Sequence, residues 1–259
     1  PVHEIYSRYN MMGVVNKVQG DDTVIREAQP LFKLVSNGKT YYLPSLAFAG
    51  FLKYMGADSK VTINGNKLFY KDRIIPISNQ GRTLISWHGY GHDYPFIHVS
   101  DILINSRGAS ELKSNYFKDK IVIIGRTEAG TDIHSTSVGT SYPGPEANAT
   151  AIDNFIHDSI SNAPLRRKFI TKLPQNVEIG IVVAFCLLIA AFSFISKNAI
   201  FAFFNTFLLI LFYLIAGMFV FINPNIRIWL PVVVPLYYMI LTSGIVYAFR
   251  INREASKKN

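Results

Sequence analysis

The densest group of aromatic and polar side chains in this 259-residue chain lies between positions 87 and 94. It contains Trp87, His88 and Tyr90, whose rings and polar atoms could form the walls and contacts of a small-ligand pocket. An aromatic loop of the same composition could equally pack on a membrane surface or on a partner protein. The cluster therefore indicates a ligand site or a docking loop.

Four acidic and imidazole side chains further along the chain could do acid–base or metal chemistry. Asp132, His134, Glu146 and His157 carry suitable groups, but none of them shows the close spacing of a metal motif. Histidines in such positions are more typical of a surface or a helix cap, so we expect no metal ion and no cofactor. A membrane-anchored enzyme with an external active site around Asp132, His134 and Glu146 stays open as an alternative.

A glycine-containing loop from Gly125 to Asp132 follows an apolar run and could offer backbone N–H groups to an anion. No Gly-Lys-Ser/Thr sequence follows it, and its spacing fits neither nucleotide-binding fingerprint. Three serines, at positions 135, 137 and 141, lie near His134, but the chain has no Gly-x-Ser-x-Gly elbow. We predict a tight turn here rather than a nucleotide or hydrolase site.

The elements that must position these residues alternate between strands and helices. An Asn-Gly pair at 37–38 between extended runs predicts a hairpin, and Pro44 begins a predicted helix that reaches about Tyr54. The β-branched run from Ile121 to Gly125 is typical of a central strand covered on both faces. A last helix is predicted from about Ala147 to Asp158. This order predicts an α/β domain built on a mixed sheet.

Three apolar stretches fill the last third of the chain: Val177–Ile195, Ala199–Ile222 and Trp229–Phe249. Each is long enough to cross a bilayer core of about 30 Å as a helix. Lys197 and Arg227 fall in the short gaps between them. Because these gaps are short, consecutive helices must lie antiparallel to one another. We therefore predict a three-helix transmembrane bundle.

The third stretch contains Pro231 and Pro235 close to its beginning. A proline removes a backbone hydrogen bond from a helix, so this span is predicted to start bent or to begin late. No ionisable group lies in the middle of any stretch. That absence argues against a proton relay or an ion pathway, which usually need one.

An odd number of crossings places the two ends of the chain on opposite faces of the membrane. Residues 1–172 are predicted to form a domain on one face, and Arg250–Asn259 a short basic tail on the other. The basic residues that flank the spans number five on each side, so the positive-inside rule leaves the orientation open. If the domain is external, a chain that begins at Pro1 without a leader is expected to lack an upstream hydrophobic segment.

The net charge of the chain is +9, of which the part up to Lys172 carries +5, and the basic residues there are spread singly rather than gathered in a stripe. Nucleic-acid binding needs a clustered basic face, so we expect no nucleic-acid partner. The single cysteine, Cys186, lies inside the first apolar stretch, and no intrachain disulfide can form.

The order of the soluble blocks resembles the second subclass of the CHASE domains, the sensory extracellular domains associated with cyclases and histidine kinases. The blocks that carry the likeness are Gly13–Asn16, Val24–Arg26, Tyr42–Ala47, Ile75–Ile77, Trp87–Gly89, Ser100–Leu103, Lys118–Gly125 with Thr127 and Asp132, and Pro143–Asn154 with Glu146. Three spans directly after the last block also belong to that family's pattern. The likeness covers roughly residues 10 to 250.

The resemblance implies an extracellular or periplasmic domain of a multi-pass protein of the cell (inner) membrane. It also implies that an effector, such as an adenylate cyclase or a kinase, follows the last span. We therefore expect an α/β mixed-sheet sensor domain, followed by a three-helix membrane bundle and a cytoplasmic tail.

The main hypothesis is a non-catalytic sensory input module of a transmembrane receptor, without enzyme activity in this chain. A structural subunit of a membrane complex is a further alternative. The lipid bilayer, a second copy in a homodimer, and a small ligand or partner protein are the expected partners. Candidate ligand-binding residues are Trp87, His88, Tyr90, Thr127, Asp132 and Glu146.

Overall fold

The structure is a computed structural model that describes residues 11–57, 59–91, 93–106, 115–128, 130–158, 169–196, 199–223 and 225–256. The chain divides into two compact units, Pro1–Phe169 and Ile170–Asn259. The first is a small mixed α/β unit with short sheets, and the second carries three long apolar helices. The predicted fold class is confirmed.

The first unit contains nine strands and three helices within its described residues. In chain order these are β1 Glu27–Ala28, β2 Leu31–Ser36, β3 Lys39–Pro44, α1 Leu46–Tyr54, β4 Thr62–Asn64, β5 Lys67–Tyr70, β6 Arg73–Pro76, β7 Thr83–Leu84, α2 Val99–Ser106, β8 Ile133–Thr136, β9 Gly139–Pro143 and α3 Gly144–His157. The strands form four small antiparallel sheets: β1 with β7, β2 with β3, β4 with β5 and β6, and β8 with β9.

The predicted hairpin at Asn37-Gly38 is confirmed. Asn37 and Gly38 have φ angles of 51° and 72°, so both central residues occupy the left-handed region that a tight two-residue hairpin turn requires. The register runs from Leu31 opposite Pro44 to Ser36 opposite Lys39. Local turn chemistry therefore determines this element without help from distant residues.

The predicted helix after Pro44 is also confirmed. Ser45 is the N-cap residue of α1, and its side chain accepts a hydrogen bond from the backbone N–H of Phe48 at 3.1 Å. Phe48 and Phe51 on this helix are fully buried. Phe155 of α3 contacts both rings, at centroid distances of 5.4 Å and 5.9 Å.

These rings belong to the main apolar cluster of the first unit. Its buried members are Ala47, Phe48, Phe51, Leu52, Leu68, Tyr70, Ile75, Ile77, Ala151, Ile152, Phe155 and Phe169. Burying each large apolar side chain contributes roughly 1.5–3 kcal/mol, so this cluster is the main source of stability for the unit.

The prediction of a central strand covered on both faces at Ile121–Gly125 is wrong. The segment forms no strand in the described part of the chain, and Ile124 is 87% exposed. β-Branched residues favour an extended backbone, but a strand also needs a hydrogen-bonded neighbour, and no described strand pairs with this segment. The α/β domain contains several short sheets in its described residues.

The second unit contains α4 Gln175–Ile195, α5 Ala199–Ile222 and α6 Val233–Ser256, with the short strands β10 Thr171–Lys172 and β11 Ile228–Trp229. The spans Gln175–Ile195, Ile200–Ile222 and Val233–Asn252 have mean hydropathies of 2.5, 2.3 and 1.3. By length and composition all three can cross a membrane. The chain is therefore a transmembrane protein, as the sequence predicts.

The third span begins late, as its prolines predict. Ile228 and Trp229 pair with Thr171 and Lys172 in a parallel two-stranded arrangement, and the helix starts only at Val233. The carbonyl of Pro231 accepts a hydrogen bond from the Tyr213 hydroxyl at 2.6 Å. The extended segment before α6 is thus held by both the chain ahead of α4 and the side of α5.

Candidate functional site

Helix α3 is the platform on which most of the candidate residues meet. Pro143 precedes it and Pro145 lies in its first turn, where a proline has its φ angle preset for helix and lacks an N–H that would go unpaired. Glu146 lies in the first turn, where a negative side chain is favoured by the helix dipole. Most of the helix is buried, so its polar side chains must find partners inside the domain.

The segment that contains Trp87 and His88 runs along α3 and is fixed to it through Asn154. The side-chain oxygen of Asn154 accepts the backbone N–H of Ser86 at 2.6 Å, and its amide nitrogen donates to the Ser86 carbonyl at 3.1 Å. The same nitrogen also donates to the Thr150 carbonyl at 2.9 Å. One buried amide therefore sets the register between this segment and the helix.

His88 meets an acidic partner on α3. Its Nε2 lies 2.8 Å from a carboxylate oxygen of Asp153, and the other oxygen of Asp153 lies 2.7 Å from Nδ1 of His157. One half-buried carboxylate thus holds two imidazoles, one from the loop and one from the helix.

Trp87 packs against a buried tyrosine beneath the same segment. Its ring meets the ring of Tyr142 edge-on at a centroid distance of 4.9 Å. The Tyr142 hydroxyl donates to the His88 carbonyl at 3.2 Å and lies 3.1 Å from the Thr150 hydroxyl. Burial raises the pKa of Tyr142 above its ordinary value. These contacts fix the position of the Trp87 ring.

Glu146 is almost fully buried and faces the end of the aromatic loop. Its Oε1 accepts the backbone N–H of Asp93 at 2.8 Å and lies 3.5 Å from that of Tyr94. The Tyr94 ring in turn meets the His88 ring edge-on at 6.4 Å. Burial raises the pKa of Tyr94 to about 12. Glu146 therefore anchors the loop through its backbone.

Asp132 lies at the beginning of α3 rather than along it. Its backbone carbonyl accepts the N–H of Gly144 at 2.6 Å, and its carboxylate lies 2.8 Å from His134 Nε2 and 3.4 Å from Lys17 Nζ. A Cβ at Gly144 would overlap the Asp132 carboxylate, so only glycine allows this approach. Asp132 thus has an electrostatic and structural role at the helix start.

The remaining two candidates lie outside this set of contacts. Tyr90 is 85% exposed, and Thr127 is also exposed. The structure thus brings Trp87, His88 and Glu146 together along α3 and places Asp132 at its beginning. Whether any of the six binds a ligand stays a prediction.

Sequence reasoning considered His157 only as a metal-ligand candidate and did not single out the other polar residues of α3 that organise this region. Thr150, Asp153, Asn154 and His157 lie at spacings of three and four residues along the helix, beginning from Glu146. Such spacing places side chains on neighbouring turns of one helix face. A polar face on a helix with mostly buried residues is the signal that could have identified them.

A cavity of about 40 Å³ adjoins this region. Its polar lining includes Lys17, Glu27, Ser45 and Asn148, and Trp87 is the one predicted contact residue that lines it. The volume has room for about three water-sized groups, far less than the 300–1,000 Å³ typical of pockets for drug-sized ligands. The described residues contain no group of three or more His, Cys, Asp or Glu side chains that could hold a metal ion.

The chain thus consists of a mixed α/β domain followed by three helices that can span a bilayer. The CHASE2 domain family matches residues 3–192 of the chain, which include nearly all of α4. The chain belongs to this family, whose members are sensory domains of signalling receptors rather than catalytic domains. No curated protein and no solved structure matches the chain significantly.

Proposed function

We propose that the chain passes an external stimulus across the membrane to a cytoplasmic effector, such as a nucleotide cyclase or a kinase. Residues 1–172 would be the extracytoplasmic sensor domain, the three spans would form the membrane module, and residues 250–259 would lead to the effector. The protein would lie in the cell (inner) membrane and act as a homodimer. Membership of a sensory domain family that continues into the first span supports this proposal.

The observation that carries the proposal is the position of Phe169. This ring is 1% exposed and packs in the same apolar cluster as Phe155 of α3. Two residues later, Thr171 donates its backbone N–H to the Arg227 carbonyl at 3.0 Å. A change in the packing of the domain core would therefore reach the loop before α6 through two peptide units.

Helix α6 is held at both of its ends and would be the output helix. Near its beginning, β11 pairs with β10. Near its other end, Arg250 donates to the carbonyls of Ser193 and Ser196 at 2.9 Å and 2.6 Å. Cations are favoured at a helix C-terminus, where carbonyls lack partners within the helix, so Arg250 links the end of α4 to α6.

The α3 region would be where the stimulus acts. His88 and the segment next to Trp87 are bonded to Asp153 and Asn154, which directly precede Phe155. A ligand that moved this segment would therefore change the packing of the apolar cluster that contains Phe155 and Phe169. The indole N–H of Trp87 has no hydrogen-bond partner within the described residues, and a ligand acceptor atom would satisfy it. The stimulus needs only to bias two packings that differ by a few kcal/mol.

The test follows the proposed route without needing to know the ligand. In the full chain with Cys186→Ser, spin labels at Leu187 and Ile245, both exposed on their helices, report the separation of α4 and α6 by dipolar broadening. Asp153→Asn weakens the contacts with both histidines, and we expect it to change that broadening. The change should persist with Thr171→Ala and disappear with Thr171→Pro, because only proline removes the N–H bonded to Arg227.

A matched control is Ile63→Ala, an exposed position on another hairpin, which should leave the broadening unchanged. If Asp153→Asn has no effect in a chain that remains folded by circular dichroism, the proposed route is wrong. Orientation needs a separate measurement. Cysteines at Ile63 and Ser256, introduced in the Cys186→Ser chain, should react with an impermeant reagent from opposite sides of the membrane, and reaction from the same side would overturn the receptor proposal.

A further inference from the structure

The β2–β3 hairpin exposes large apolar side chains on both of its faces. Paired residues in an antiparallel sheet share a face, and successive residues alternate. Leu34 and Tyr41 therefore lie on one face, and Tyr42 and Val35 on the other. Val35 is 62% and Tyr42 is 60% exposed. In the described part of the chain this sheet has only two strands, so no neighbouring strand extends it.

The composition of the hairpin matches a lipid interface. Its charged residues are Lys33 and Lys39, and no acidic residue occurs between Leu31 and Pro44. Tyrosine and lysine combine an apolar body with a polar tip, which suits the boundary between acyl chains and headgroups. Two lysines without an acidic neighbour are attracted to anionic headgroups.

We propose that the tip of the β2–β3 hairpin inserts into the headgroup region of an anionic bilayer. A flat protein surface would cover one face of the hairpin, whereas a lipid phase surrounds the tip and covers both. A second copy of the hairpin would bring the same lysines together, and like charges in close contact destabilise a pair. The membrane already holds the chain through α4, and only Ile170–Pro174 lies between the buried Phe169 and that helix.

This contact does not depend on signalling, so it can fail while the receptor proposal stands. The experiment uses the full chain with Cys186→Ser, one copy per nanodisc, and a spin label at Val35→Cys. The nanodiscs contain either phosphatidylcholine alone or phosphatidylcholine mixed with phosphatidylglycerol. Power saturation with lipid-soluble oxygen and with a water-soluble nickel chelate measures whether the label lies in lipid or in water.

The matched control is the same label at Ile63→Cys on the β4–β5 hairpin. Ile63 is exposed, but Leu68 opposite it is buried, so that hairpin is already covered on one face by the domain. In nanodiscs with phosphatidylglycerol we expect the Val35 label to favour oxygen and the Ile63 label to favour the nickel chelate.

Charge reversal sharpens the result. Each lysine near an anionic surface contributes a factor of about five in binding. The double variant Lys33→Glu with Lys39→Glu should therefore lower the ratio of Val35 labels in lipid to Val35 labels in water by at least about 25-fold. A Val35 label that is as accessible to nickel as the Ile63 label in every nanodisc would overturn the proposal. So would immersion that is equal in the two lipid mixtures, or a Val35 label shielded from nickel only in nanodiscs that hold two copies.

Discussion

The two apolar clusters among the described residues, one in the domain and one in the bundle, are built differently, although both consist of the same kinds of side chain. In the domain, α1, α3 and the small sheets enclose stacked and edge-on aromatic rings together with Leu68 and Ile75. In the bundle, the buried cluster is Ile189, Tyr213 and Met239, one residue from each helix. Most other large apolar side chains of the spans are exposed on the surface of the helices.

The difference reflects the solvent of each unit. Water drives apolar side chains of the domain together, so its stability depends on a filled interior. Lipid offers no such drive, because acyl chains are as apolar as leucine, and spans associate through packing and a few hydrogen bonds. The bonds from Tyr213 to Pro231 and from Arg250 to the end of α4 are contacts of that kind. Removing the same side-chain atoms from the domain and from the bundle should therefore change the free energy of unfolding by different amounts.

The largest expected effect is from Phe155→Ala. The ring is 1% exposed and contacts Phe48 and Phe51, so removing it leaves a cavity and should destabilise the domain by about 3–5 kcal/mol. That is a large part of the stability of an ordinary domain. Pulse proteolysis of the full chain in nanodiscs measures the loss, with cleavage sites in the domain as the readout.

The matched variant is Phe204→Ala on α5, which removes the same ring from an exposed position of a span. We expect it to change the free energy of unfolding by less than about 0.5 kcal/mol, as is usual for exposed positions. Similar costs for the two variants would contradict the contrast between a packed domain and a lipid-facing bundle.

A smaller effect is expected from Asn154→Ala. The change removes the three hydrogen bonds that Asn154 makes to Ser86 and Thr150 inside the domain, and should cost about 1–3 kcal/mol. Asn154→Asp keeps the acceptor for the Ser86 N–H but cannot donate to the Ser86 carbonyl, so it should not restore stability. Thermal unfolding followed by near-UV circular dichroism measures both.

The variant of the membrane unit to compare with Asn154→Ala is Tyr213→Phe, which removes the hydrogen bond from the Tyr213 hydroxyl to the Pro231 carbonyl. Interhelical hydrogen bonds in membranes average about 0.6 kcal/mol, because the separated helices also find partners. A cost for Tyr213→Phe above that of Asn154→Ala would reverse the expected order.

The sequence predicted what depends on neighbouring residues and missed what depends on distant ones. The turn at Asn37-Gly38, the helix after Pro44 and the three spans follow from local chemistry and composition, and the structure confirms them. The strand at Ile121–Gly125 failed because β propensity cannot supply a pairing partner. The bond between Asn154 and Ser86 joins residues 68 positions apart, and no local pattern indicates it.

The ionisation of Tyr94 tests whether the domain around α3 is packed against water. Burial raises its pKa to about 12, against about 10 for an unperturbed tyrosine. The folded domain therefore holds the phenol proton more tightly than the unfolded chain does. This contribution to stability is fully present below about pH 10 and is lost as the pH rises through about 12.

Ultraviolet absorbance of tyrosinate measures this titration. The difference between wild type and Tyr94→Phe should show one tyrosine that ionises near pH 12 in the folded chain and near pH 10 in denaturant. Wild type should also lose stability more steeply than Tyr94→Phe between these two pH values. A difference spectrum that titrates near pH 10 in the folded chain would mean that water reaches the Tyr94 hydroxyl. The loop that Glu146 anchors would then be open, and the side chains around α3 would be as exposed to solvent as those of the bundle are to lipid.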